Sequence, residues 1–279
     1  MIDLHTHTTA SDGIYTPEGI IDLAAENGVT VLAVTDHDTV DGIPAAMGPA
    51  GTRGITLVPG IEFSCEFAHG SLHMLGYYID FRNSALCDRV AQLAMFRETR
   101  AFRMIEDLNR HDVNISFDEV YAEANGGAIG KPHVARILVR KGYARSFEEV
   151  FSQFLEEGKP GHVKKEKVTA QEALELIRKA GGVPVVAHPA TLNLGTGPEF
   201  AEFIADLKSS GLRGIEAYSD MHGPEEVEFY RDTALKHGLL VTGGSDFHGD
   251  KKEQLGYYRA GLPIPEDLFP PLQKEACVL

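Results

Sequence analysis

His5 and His7 stand two apart near the N-terminus, so in an extended segment both imidazoles point the same way and can reach one ion. In a chain with twelve histidines such a pair is a weak signal by itself. Its weight comes from what accompanies it. Asp12-Gly13 follows directly, Thr35-Asp36-His37-Asp38 ends a second apolar run, and Glu62 follows Pro59-Gly60-Ile61 in a third. His73 opens a fourth run, Ala187-His188-Pro189 ends a fifth, and Ser245-Asp246-Phe247-His248 follows the last. Imidazole and carboxylate ligands gathered in this way point to bound divalent ions.

The elements that must bring these residues together are short β-branched runs near 1–5, 29–35, 55–63, 72–80, 183–187, 212–218 and 239–243. Helical stretches with Gly or Pro punctuation separate them, which is the alternation of a parallel sheet with crossover helices. Thr16-Pro17-Glu18 starts one helix and Gly28 stops it, making a βαβ unit. Thr169-Ala170-Gln171-Glu172 reads as a capping box before another. Nearly every run thus delivers a ligand to its carboxyl end, the face on which barrel enzymes build their sites. His73 is the misfit: it opens its run, so its strand is antiparallel or starts earlier.

Residues 84–167 break the rhythm and read as amphipathic helices, with Leu86, Val90, Leu93 and Phe96 at helical spacing, and Phe147, Val150, Phe151 and Phe154 likewise. The expected organisation is a barrel from 1–83 and 168–279, with 84–167 inserted as a helical, substrate-binding cap.

Composition bounds the rest. The 279 residues suffice for a barrel with an insertion. A net charge of -15 argues against a protein that coats nucleic acid by neutralising phosphates. Cys65, Cys87 and Cys277 form no Cys-x-x-Cys pair, which fits a reduced, cytoplasmic setting. Met1 leads straight into Ile2-Asp3-Leu4-His5 without a basic stretch and apolar run, and no apolar run is long enough for a membrane span. The expectation is a soluble protein with no membrane association and no obligate protein partner.

Taken as a set, His5-x-His7, Asp12, Thr35-Asp-His37-Asp, Glu62, His73, Ala187-His188-Pro and Ser245-Asp246-x-His248 resemble the polymerase and histidinol phosphatase (PHP) family, in the family's order. The resemblance implies an α/β fold, a distorted (β/α)7 barrel, with two or three divalent ions, commonly manganese, zinc or iron. It puts His5, His7, Glu62 and Asp246 on one ion, Glu62, His73 and His188 on a second, and Asp12, His37 and His248 on a third, with Glu62 as bridge. The family often carries His where this chain has Asp12. Ions so placed activate water as hydroxide and neutralise phosphoryl oxygens, so no covalent nucleophile is needed. Glu62, Asp246 and His248 are then the catalytic core, and His222, in the loop after the sixth run, is one candidate for protonating the leaving group.

Selectivity is expected from the insertion. Between Ala128 and Arg145 it carries Lys131, Arg136, Arg140, Lys141 and Arg145 with no acidic residue. Lys131, His133 and Arg136 at a helix start, with Arg97 and Arg100, are the expected substrate contacts. The barrel with such an insertion is similar to the PHP subgroup of nucleoside 3',5'-bisphosphate phosphatases and a related 5'-3' exoribonuclease. A small substrate with two phosphates would explain both a metal cluster and a separate basic island. The expected function is removal of the 3'-phosphate from such a bisphosphate. The competing readings are an exoribonuclease on short RNA, a histidinol phosphate phosphatase, and a non-catalytic metal-binding module.

Overall fold

The structure, a computed structural model, describes residues 1–124, 129–249 and 253–278. Packing divides the chain into two units, Met1–Val90 with Lys167–Leu279, and Ala91–Glu166.

The first unit is built on seven strands, β1 (Ile2–Asp3), β2 (Val31–Val34), β3 (Thr56–Cys65), β4 (Leu72–Tyr77), β5 (Val183–Val186), β6 (Gly214–Tyr218) and β7 (Leu240–Gly243). They lie in one sheet in chain order. Neighbours are parallel except on both sides of β4, which runs antiparallel to β3 and β5. Beyond the ends of the edge strands, Thr6 bridges Phe247 and the His7 amide donates to Phe247 O at 2.9 Å, so the sheet nearly closes into a distorted (β/α)7 barrel. Val31–Val34 and Val183–Val186 are buried throughout, as strands covered on both faces must be. Ile2, Leu4, Val31, Val58, Leu75 and Val185 share one core cluster.

Helices α1 (Pro17–Glu26) and α2 (Gly42–Arg53) connect the early strands. Thr16 Oγ1 caps α1 by accepting from the Gly19 amide at 3.0 Å, and Gly28 at φ 72° turns the chain out of the helix. The long helix α3 (Ser84–Asn109) begins in the first unit and continues into the second. The second unit adds α4 (Phe117–Ala124), α5 (Lys131–Arg140) and α6 (Phe147–Val150), the last running on into a π-turn at Phe151–Leu155. Its core joins Met104, Leu108, Val120, Val134, Leu138 and Val150. Back in the first unit, α7 (Ala170–Lys179), α8 (Pro198–Ser209), α9 (Pro224–Lys236) and α10 (Phe269–Ala276) follow. No helix among the described residues is long and apolar enough to cross a membrane.

Two local expectations are corrected. Phe96 is 47% exposed, so the apolar stripe of α3 keeps Leu86, Val90 and Leu93 but not Phe96. Thr169 accepts from the Glu172 amide at 3.1 Å, but the Glu172 carboxylate takes Arg89 Nε at 2.7 Å instead of closing the capping box.

Candidate metal centre

The candidate ligand residues meet at one end of the barrel because of where each strand stops. Beyond β1 the chain stays extended, and alternation points His5 and His7 inward while the Thr6 hydroxyl donates outward to Ala33 O at 2.6 Å. His37 follows β2 and pairs by a β-bridge with Glu62 inside β3. Ser64 lies opposite His73 across the β3–β4 ladder, so the antiparallel direction of β4 brings its first residues to the end where β3 finishes. That resolves the misfit at His73. His188 follows β5, and Asp246 and His248 follow β7. His188 at φ 22° and Asp246 at φ 53° occupy backbone conformations that L-residues rarely adopt, a strain that surrounding contacts must hold. Gly244 makes room for this turn: a Cβ there would stand 2.2 Å from His5 Cβ.

Among the described residues three groups present ligand atoms all within 4.8 Å of one another: His5, His7, Glu62 and Asp246; His37, Glu62 and His73; and His7, Asp12, His37 and His248. In the first, His5 Nε2 lies 3.3 Å from both Glu62 Oε2 and Asp246 Oδ1, and His7 Nε2 lies 3.3 and 3.1 Å from the same two atoms. These four atoms are buried and make no hydrogen bond. Leaving such atoms unsatisfied is costly, and one ion would satisfy all four. Donors about 2.0–2.2 Å from a tetrahedral ion stand about 3.3–3.6 Å apart, so the spacing fits a divalent metal.

Glu62 divides its oxygens. Oε2 faces His5, His7 and His37, the last at 2.8 Å, while Oε1 faces His73 at 3.0 Å and His188 at 2.9 Å. A bridging carboxylate needs this division, and an imidazole could not supply it. The approach of His37 to Glu62, and of His7 to the Asp12 group, adds contacts that spacing alone did not give.

Electrostatics follow from the same packing. Burial works against charge on Glu62, yet the imidazoles of His37, His5 and His73 overcome it and hold its carboxyl well below the usual range. Burial likewise opposes charge on Asp246 and Asp12, and neighbouring imidazoles reverse it, so both stay ionised. Burial also opposes charge on His5, but Glu216, Asp246 and Glu62 outweigh it and raise its pKa. His73 is pushed down to about 4, chiefly by burial. The site is therefore a set of ionised carboxylates interleaved with imidazoles, the donor set that borderline divalent ions take.

Further carboxylates brace this set, a role their positions in the sequence did not reveal. Asp3 accepts the Ser245 amide and hydroxyl at 3.0 and 2.6 Å and the Gly256 amide at 2.8 Å. Asp36 accepts the Thr8 amide at 2.7 Å and the Ser11 hydroxyl at 2.6 Å, holding the loop that carries Asp12. Asp38 accepts the Ser64 amide at 2.8 Å, and Glu253 accepts the amides of His248 and Gly249. Glu216 in β6 reaches His5 and the His188 backbone. A lone Glu in the otherwise apolar Gly214–Tyr218 was the available signal for the last. The Ser245 hydroxyl donates to Asp3, and burial pushes the Cys65 thiol up, so neither is set up as a nucleophile.

His222 requires a correction. It is 1% exposed, its Nδ1 lies 2.8 Å from Ala217 O, and its Nε2 accepts from the Ala190 amide at 3.4 Å. Burial lowers its pKa. A neutral ring with both nitrogens engaged by backbone has no proton free for a leaving group.

The expected substrate residues all lie in the second unit. Arg100 Nε donates to Val163 O at 2.8 Å and Lys131 Nζ to Leu155 O at 2.6 Å. Burial and the charge of Arg97 lower the pKa of Arg100, and burial and the charge of Arg100 lower that of Lys131, so Arg100 lies within electrostatic reach of both other cations. His133 Nδ1 accepts from the Gly130 amide at 3.0 Å at the start of α5, and Arg136 is exposed. The basic island is smaller than its sequence suggests: Arg140 pairs with Glu123 and Lys141 with Glu119, at 2.8 and 2.6 Å. Its first residue, Ala128, lies outside the described residues.

Comparison with known proteins agrees with this architecture. Residues 3–183 match the PHP domain. The chain is 33% identical over 275 residues to a 3',5'-nucleoside bisphosphate phosphatase of Chromobacterium violaceum, covering 98% of this chain and 96% of that one. It is 35% identical over 248 residues to the 5'-3' exoribonuclease Rnm of Salmonella typhimurium, covering 88% of this chain and 84% of the relative. Among solved structures, an amidohydrolase from Chromobacterium violaceum with bound sulfate and no metal superposes with a TM-score of 0.83 at 31% identity, covering 98% and 96% of the two chains.

Proposed function

This chain belongs to the PHP domain family, and from that premise we propose that it is a metal-dependent phosphatase that removes the 3'-phosphate of nucleoside 3',5'-bisphosphates. With 3'-phosphoadenosine 5'-phosphate the products are AMP and phosphate. The observation that carries the reading is the meeting of four buried, unsatisfied donor atoms from His5, His7, Glu62 and Asp246 at one end of a barrel. The choice of substrate is supported by the alignment with the Chromobacterium bisphosphate phosphatase, which spans both units.

In this reading His5, His7, Glu62 and Asp246 hold one ion, Glu62, His73 and His188 a second, and Asp12, His37 and His248 a third, with manganese as the ion of choice and zinc or iron as substitutes. Ions held there supply an activated water at neutral pH and positive charge for the phosphoryl oxygens. The chain's own contribution is order. Glu62 presents one oxygen to each of two ligand sets, Asp246 and His248 leave β7 on a strained turn that keeps both facing the cluster, and the bracing carboxylates stop the ligands from relaxing apart. Arg97, Arg100, Lys131, His133 and Arg136 are the proposed contacts for the second phosphate, with Arg97, Arg100 and Lys131 as its core. Free thiols at Cys65, Cys87 and Cys277 support a reduced, cytoplasmic setting.

The Salmonella relative favours a second reading, exonuclease action on short 5'-phosphorylated RNA. Product analysis separates them. Incubation of 3'-phosphoadenosine 5'-phosphate with manganese-loaded protein should yield 5'-AMP and phosphate, whereas 3'-AMP as product, or no turnover, would overturn the first reading.

A further inference from the structure

Glu216 lies in the middle of β6 with no exposed surface, and it belongs to none of the three ligand groups. Its two oxygens have different tasks. Oε1 is 3.0 Å from His5 Nδ1, and Oε2 accepts the backbone amide of His188 at 2.7 Å. With Nδ1–H given to Glu216, the His5 ring keeps its Nε2 lone pair for the side facing Glu62 and Asp246, each 3.3 Å away. The His188 amide sits on a backbone at φ 22° and ψ 63°, and from that turn the His188 ring sends Nε2 to Glu62 Oε1 at 2.9 Å. A charged acceptor on the amide is a strong local restraint on such a conformation.

One buried carboxylate therefore restrains a ligand on each side of Glu62. We propose that Glu216 is a positioning residue that fixes the His5 tautomer and the His188 backbone together, so that occupancy of two adjoining ion sites depends on this one side chain. The role rests on reading His5 and His188 as metal ligands. It requires two acceptors facing two donors, which an amide of the same shape cannot provide. In Glu216→Gln the NH2 group must face either the His5 ring or the His188 amide. Facing His5, it donates to Nδ1 and drives the ring proton onto Nε2; facing His188, it sets N–H against N–H.

The test compares wild-type and E216Q proteins, dialysed against the same free manganese, by elemental analysis, with circular dichroism and melting of the metal-free forms as controls. Alongside, ring-nitrogen NMR of the zinc-loaded wild type reports which His5 nitrogen carries the proton. The expected result is a loss of about 10–100-fold in metal affinity in E216Q with the metal-free fold unchanged, and a wild-type His5 protonated at Nδ1. E216Q that loads as tightly as the wild type, or a wild-type His5 ring protonated at Nε2, would overturn the proposal. If E216Q does not fold, the wild-type ring spectrum still decides. Wild-type protein that takes up no divalent ion would end the metal reading itself, an outcome distinct from failure of the role of Glu216.

Discussion

His7 Nε2 and Asp246 Oδ1 stand 3.1 Å apart in the barrel, both buried and neither hydrogen-bonded. They come from opposite ends of the chain, on segments following β1 and β7, and the bridge between Thr6 and Phe247 that nearly closes the sheet is what brings them together. The near-closure of the barrel thus sets these two residues together, and this has consequences that can be measured.

Glu62 is the residue on which the arrangement most depends, since its two oxygens face five imidazoles. In Glu62→Gln one oxygen becomes an NH2 that cannot ligate. Bound metal should fall, and kcat/KM should drop by at least about 100-fold, the upper end of what removing a mere supporting residue costs. Elemental analysis and phosphate release check this together; a Glu62→Gln protein with full metal and near-normal rate would contradict the bridge.

Metal uptake should release protons. Burial opposes charge on His248, but Asp12 Oδ1 at 3.4 Å from its Nε2 outweighs burial and raises its pKa to about 9. An ion must displace that proton to bind the imidazole. Below pH 9 each unit of falling pH should weaken binding through this group about tenfold, and above pH 9 its contribution to the pH dependence should vanish. Calorimetric titration of manganese in buffers of different ionisation enthalpy counts the protons; a count that stays constant through pH 9 would contradict the His248–Asp12 pairing.

Gly244→Ala tests the close approach behind His5, where an added Cβ would stand 2.2 Å from His5 Cβ and 2.6 Å from His5 N. Overpacking of this kind costs about 1–3 kcal/mol. Thermal melting should fall by roughly 2–4 °C for each kcal/mol, and metal affinity should fall with it because the displaced residue is a proposed ligand. An unchanged melting temperature and metal content would mean the backbone yields there at no cost.

In the helical unit, Lys131→Ala and Arg100→Ala should raise KM for the bisphosphate by about 10-fold or more, the worth of one charged hydrogen bond, while leaving metal content intact. Arg140→Ala, which removes a cation already paired with Glu123, should change KM little. Metal loss in the first two variants, or equal effects in all three, would contradict the division of the basic island.

Much of this was legible in the sequence because ligands at strand ends are chemically conspicuous. His5, His7, Glu62 and Asp246 stand out against apolar runs, and the fold they imply follows from alternating strands and helices. What stayed hidden depended on direction and partnership. Whether β4 runs up or down decides where His73 points, and an apolar run carries no sign of its own direction. Glu216 is a polar residue inside a strand, and alternation alone does not say whether it faces solvent or a barrel interior. Glu172 obeyed a local rule until a tertiary contact, Arg89 at 2.7 Å, offered something better, while Phe96 keeps the helical spacing of its stripe yet stays 47% exposed. His222 was conspicuous as a loop histidine, yet two backbone groups already occupy it.

The central claim is best tested by kcat/KM for phosphate release with manganese, measured side by side on 3'-phosphoadenosine 5'-phosphate, 3'-AMP, 5'-AMP and a short 5'-phosphorylated RNA. A substrate with two phosphates should exceed both monophosphates and the RNA, with 5'-AMP as its product. A bisphosphate turned over no faster than 3'-AMP, or outpaced by the RNA, would contradict the account.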